Sequence, residues 1–250
     1  MKFIYLILFC FTAFFAKSQE TVLLFKEADN FERQLKDIEA LDKYKQIVAI
    51  EPTNIKALVK AAELNAGLGG RESNKVNKRL FTESAMVFAK KAYDVDSKNA
   101  DANYVMAMVS GKMTDIETEN KKIVQYVKDV KSYSEKALAI NPSHARANYS
   151  LGKWHYEMVN LMGLKKVAVK LFYGGMPDGD LDSAIVHFEK CKSADPYFVL
   201  NYLDLAKAYR DNHRPTQTID ILNKLVKLPI RTADDAALKA EAAKLLDAVQ

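Results

Sequence analysis

Apolar positions along the chain recur with the 3.6-residue period of a helix rather than the two-residue period of a strand. Leu24, Ala28 and Phe31 fall on one face, and Ala40, Tyr44 and Ile47 on the next. Similar stripes run through Leu58, Ala61 and Ala62, through Ala85, Ala89 and Ala92, through Tyr104, Met106 and Ala107, and through Tyr133, Ala137 and Ile140. Turn signals separate them at Glu51-Pro52, Asp96-Ser97, Asn141-Pro142, Asp195-Pro196 and Leu228-Pro229, spaced by 45, 45, 54 and 33 residues. With only nine glycines and six prolines in 250 residues, the chain has few breaks. The pattern predicts an all-α protein.

The stretch from Asn148 to Arg210 identifies the repeat. Ala184, Phe188 and Cys191 stand at i, i+4 and i+7, and Pro196 follows. Two small residues flanking an aromatic let a paired helix approach, and the proline stops the helix. This is the second helix of a tetratricopeptide (TPR) unit. Tyr202, Leu205, Ala206 and Tyr209 match the first helix of the next unit, and Leu151-Gly152 with Trp154 to Tyr156 match that of the unit before. A single helix pair cannot bury its own apolar face, so such units must stack.

The expected architecture is a TPR-like right-handed helical superhelix with long inserts in the middle repeats and a C-terminal capping helix. It forms one domain over residues 19–250, with units at about 21–54, 55–98, 99–143, 144–197 and 198–230 and a cap at 232–250. A plain unit takes about 34 residues, so two units carry roughly eleven extra and one about twenty. Gly67 to Lys78 is expected to be a loop, and Ser143 the N-cap of the fourth unit. Thr232 and Asp235 make a box-like start for the cap, whose stripe is Leu238, Ala242, Leu245, Leu246 and Val249.

Residues 1–18 read as a secretory signal. Lys2 supplies the positive charge, Phe3 to Phe15 is a short apolar run, and Ala16-Lys17-Ser18 places small residues for cleavage before Gln19. An uncleaved anchor is the alternative. The chain is therefore expected to be exported, periplasmic or secreted. Losing Lys2 and Lys17 lowers the basic count from 37 to 35 against 32 acids, a net charge of +3 that does not argue for nucleic acid. Cys10 leaves with the leader, and Cys191 remains alone at a packing position.

No catalytic constellation is present: no phosphate-binding glycine loop, no GxSxG, HExxH or CxxC. His155 and Glu157 are two apart and do not share a helix face, and His187 is expected on the outer edge. Asp178, Asp180 and Asp182 read as an acidic helix start. No enzyme activity, cofactor or metal is expected.

First helices line the concave face of a TPR stack. Their register places Lys56, Val59, Tyr104, Met108, Arg146, Tyr149, Lys153, Tyr156, Lys207 and Arg210 toward the groove. Alternating basic and aromatic side chains suit an anionic group held beside an apolar segment. A protein segment is the expected ligand. The alternative is an anionic lipid, with the insert 158–176 as a lid. In that insert Leu161, Leu164, Ala168, Leu171 and Phe172 are expected to share one face, and Lys165, Lys166 and Lys170 take the rest. This pattern fits either a roof over the groove or an amphipathic helix for a membrane surface.

These residues resemble the regulator of microtubule dynamics family. The resemblance rests on Lys56 to Leu64, Glu83 to Asp96, Leu151 to Glu157, Leu164 to Phe172, Leu181 to Pro196 and Ala240 to Leu246, within roughly residues 35–250. The long insert between Trp154 and Leu181 is its most specific feature. His155 stands where the family commonly has Cys. The resemblance implies a TPR-like domain, a non-enzymatic binding role, and the membrane or lipid association of some members. The leader turns the expectation from microtubules to a protein or peptide partner, with an anionic phospholipid or membrane surface second.

Overall fold

The computed structural model describes residues 19–249, and the leader expected over residues 1–18 lies outside them. Among the described residues there are twelve α-helices and no strand. They are α1 (19–33), α2 (Asp37–Ile50), α3 (Ile55–Arg71), α4 (Lys75–Val95), α5 (Ala100–Met113) and α6 (Asn120–Ile140). They continue with α7 (Ala145–Val159), α8 (Gly163–Tyr173), α9 (Leu181–Ala194), α10 (Val199–Asp211), α11 (Pro215–Leu225) and α12 (Asp235–Val249). Helix α3 packs on α4, α5 on α6, α7 on α9 and α10 on α11, while α12 covers α10 and α11. The result is an all-α, TPR-like superhelix.

Short polar side chains start the helices by accepting from amides the first turn leaves free. Asn54 accepts from the Ala57 amide at 3.0 Å, and Asn99 from Ala102 at 3.0 Å. In the fourth unit the cap is His144, not Ser143: its Nδ1 accepts from the Ala147 amide at 3.0 Å. The ring nitrogen occupies the register of the Asn oxygens, while Ser143 bonds back to Asn141. One turn further on, the buried amides of Asn103 and Asn148 strap the preceding turns. Asn103 donates to the Ser97 carbonyl at 2.8 Å, and Asn148 to the Pro142 carbonyl at 3.0 Å.

The extra residues of the second and third units lengthen helices rather than loops. Helices α4 and α6 each run for 21 residues, against 14 in α2 and in α9. The seven added residues extend each by about 10 Å at 1.5 Å per residue. The loop expected from Gly67 is likewise helical, because α3 continues to Arg71. A Cβ at Gly69 would lie 3.0 Å from Thr82 Oγ1 and 3.2 Å from Phe81 Cβ. The missing side chain lets α4 close against α3, and this packing outweighs the roughly 1 kcal/mol that glycine costs inside a helix.

Ala184, Phe188 and Cys191 are fully buried, and Gly152 meets Phe188 so closely that a Cβ there would lie 2.9 Å from its ring. One core runs from α1 through α6 to the start of α7, and a second joins the end of α7 to α9 through α12. A small third core, Val124, Trp154, Met158 and Val169, sits under α8. Helix α8 ends at Gly174, whose φ of +96° favours glycine. Its inward residues are Ala168 and Val169; Leu171 and Phe172 are exposed instead of sharing that face. The side chains of Leu164 and Lys165 lie outside those described. Helix α8 lies along α6, so only one side of it turns toward the protein.

Candidate binding groove

The concave face encloses a cavity of about 690 Å³. Helices α3, α5 and α7 form one wall, α6 and α8 the roof, and the segment 231–238 leading into α12 part of the rim. The added turns of α6 bring Ile123, Val124 and Val127 into this roof. Arg71, at the end of α3, pairs with Asp37 of α2 and, at 3.3 Å, with Asp234 just before α12. The last contact joins residues 163 apart in sequence. It brings the C-terminal segment back over the second unit.

The cavity has two chemical ends. Val124, Val127, Val130, Trp154, Met158 and Val169 line an apolar recess. Trp154 is fixed there by its indole N–H, which donates to the Val127 carbonyl at 3.0 Å. The other end carries alternating charges. The Tyr104 hydroxyl donates to Glu63 at 2.9 Å, and Lys60 pairs with Glu32 at 2.9 Å and Glu63 at 3.6 Å. The Tyr149 hydroxyl donates to Asp204 at 2.8 Å. Lys153 lies 3.3 Å from the same carboxylate and 3.0 Å from Glu157. The Arg146 guanidinium stacks 3.5 Å from the centre of the Phe198 ring and pairs with Asp195 at 3.3 Å.

These pairs set the protonation of the wall. Burial, then the carboxylate beside each, pushes the Tyr104 and Tyr149 hydroxyls well above their ordinary range. Burial alone would lower Lys60 and Lys153; Glu63 and Glu32 outweigh it at the first, Asp204 and Glu157 at the second, and both amines are raised. All four groups thus hold their protons at neutral pH and act as fixed donors.

Five of the residues placed in the groove by sequence line the cavity together: Tyr104, Met108, Arg146, Tyr149 and Lys153. The others lie off its wall. Lys56 stands 4.6 Å over the Phe25 ring, and Val59 is buried in the N-terminal core. Tyr156 donates to Asp211 at 2.7 Å, Lys207 pairs with Glu241 at 2.7 Å, and Arg210 with Asp211 at 2.8 Å. The carboxylates that complete the wall were not foreseen. Asp204 gave no signal: it falls between Tyr202 and Leu205, off their apolar stripe, where a solvated charge is expected, yet it is 2% exposed.

Other candidate chemistry has structural duties. Asp180 caps α9, accepting from the Asp182 and Ser183 amides. His187 is half-buried, not on the outer edge: Asn148 reaches its Nδ1 at 2.9 Å, and its ring stacks on His155 at 6.0 Å. Burial pushes its pKa down to about 4. Burial likewise pushes the Cys191 thiol up to about 12. No group of three or more potential metal ligands occurs among the described residues.

A family model described as regulator of microtubule dynamics protein 1-3 matches residues 24–250. The chain belongs to this family. Regulator of microtubule dynamics protein 1 of Bos taurus is 26% identical over 191 residues, 76% of this chain and 59% of that protein. The Homo sapiens protein 1 is 26% identical over 171 residues, 68% and 54% of the two chains. The chain thus spans a little over half the length of these relatives. Among solved structures, a thermophilic TPR protein of Thermus thermophilus superposes with a TM-score of 0.64 at 14% identity, covering 90% of this chain and 98% of that one. PilW, a type IV pilus biogenesis factor, gives 0.54 at 17% identity, covering 91% and 90%. The family member thus shares the TPR fold.

Proposed function

We propose that this family member is a non-catalytic scaffold that binds a segment of another protein in the groove between α3, α5, α7 and α6. The observation that carries the proposal is the cavity's division into an apolar recess and a wall of matched charges. A peptide fits both parts: an apolar side chain meets the recess lined by Val127, Val130 and Met158, and its amides and charged groups meet Lys153, Glu157 and Arg146. A simple polyanion fits less well, because Glu63, Asp204 and Glu157 stand beside the cations it would approach. The relatives are named regulators of microtubule dynamics, a description that suits partner binding. The leader expected over residues 1–18 argues against microtubules as the partner of this chain.

Peptide-library selection on residues 19–250, followed by calorimetry, tests the groove. Selected peptides are expected to share an apolar anchor. Val127→Asp, shown to be folded by circular dichroism, should weaken them by at least about tenfold, the cost of a charge in an apolar recess. Arg210→Ala, off the cavity, should bind as before. Peptides that bind Val127→Asp as tightly as the parent would refute the assignment. The apolar lining of the recess also favours a second reading, an acyl chain beneath α8; native mass spectrometry after detergent-free purification would then show an added phospholipid mass.

A further inference from the structure

Helix α8 is apolar on two sides. Its inner side, Ala168 and Val169, is buried over the small core between α6 and α7. Its outer side is uncovered by the described residues. Met162 is 81% exposed, Leu171 70% and Val167 62%, and Phe172 and Met176 extend the patch. Of the eighteen large apolar side chains exposed among the described residues, six fall between Val159 and Met176. The other twelve are spread over the rest of the described residues, with three of them, Val76, Leu80 and Val87, on one face of α4; the density between Val159 and Met176 is what requires an explanation.

We infer that the outer face of α8 docks the protein on the surface of an anionic phospholipid bilayer. Charge selects this occupant. From Met158 to Pro177 the sequence contains three lysines, at 165, 166 and 170, and no aspartate or glutamate. Lys166 and Lys170 are exposed, and Lys128 of α6 stands beside them, donating to the Phe172 carbonyl at 3.3 Å. A second copy of this chain would set these lysines against their own kind. An anionic membrane satisfies both halves of the surface. Leu171, Val167 and Met162 enter the acyl boundary while the amines reach back to the phosphates. Eleven residues span about 16 Å, so α8 lies in the interface and does not cross it. The glycine pair Gly174-Gly175 ends the helix with positive φ angles at both residues.

Flotation with vesicles tests the inference, using residues 19–250, pure phosphatidylcholine vesicles, and vesicles that also contain phosphatidylglycerol. The parent is expected to float only with the anionic vesicles and to be released by salt. The pairs Val167→Asp/Leu171→Asp and Lys166→Glu/Lys170→Glu should each lower partition by at least about tenfold. Ile38→Asp, which removes an exposed apolar side chain from α2, should float like the parent. All these side chains are exposed, so melting curves should be unchanged and misfolding would be visible. The inference is overturned if the parent does not float, if both pairs float as the parent does, or if the patch proves to hold a dimer that Leu171→Asp dissociates.

Discussion

At His187 the register of one helix and the contents of its neighbour disagree. Its position beside Phe188 in α9 suggests an edge, yet α7 supplies Asn148 and His155 against it. Burial, then the nearby charges of Lys190 and His155, hold its pKa near 4 instead of the ordinary 6.5. The unfolded chain therefore takes up a proton between about pH 6.5 and pH 4 that the folded chain refuses. Stability is complete above this window and falls as pH drops through it, by about 1–2 kcal/mol once solvent screening of the half-buried ring is allowed for. Denaturant unfolding at pH 7 and pH 4 measures this, and His187→Gln should reduce the slope while leaving the part due to His155, which burial also holds below its ordinary range. Ala184, Phe188 and Cys191 were legible from sequence because their burial follows from spacing along one helix. His187 was not, because its burial depends on a helix some forty residues earlier.

At the scale of elements, periodicity located the helices but not what ended them. The run Gly67 to Gly70 reads as a stop by local propensity, yet a close approach to α4 keeps it helical. Helix α8 shows the opposite limit: its apolar pattern was visible, but which side faced the protein was decided by the packing of Val169 with Trp154 and Val124. Trp154 is the only tryptophan in the sequence and so reports the closure of α8. Val169→Asp places a charge in the small core and should lift α8. The expected result is a red shift of Trp154 emission and greater acrylamide quenching, with the main unfolding transition retained because α8 packs chiefly on α6. Emission and quenching unchanged from the parent would show that α8 is not what shields the indole.

For the whole molecule, the decisive contact is Arg71 with Asp37 and Asp234, which joins the second unit to the start of the cap. Such partly exposed pairs contribute about 0–1 kcal/mol, so the clasp shapes the groove's rim more than it stabilises the fold. Arg71→Glu sets like charges together. It should raise the radius of gyration in X-ray scattering and speed amide exchange over residues 231–235, while unfolding free energy changes by about 1 kcal/mol or less. The sequence by itself determined the helical class, the stacked repeats, the capping helix and the face most helices bury, since these follow from apolar spacing along a continuous chain. Only the tertiary structure decided how the groove is charged, because Tyr149 meets Asp204, Tyr104 meets Glu63 and Arg71 meets Asp234 across helices distant in sequence. No local periodicity encodes which carboxylate will stand opposite a given amine; the curvature of the superhelix does.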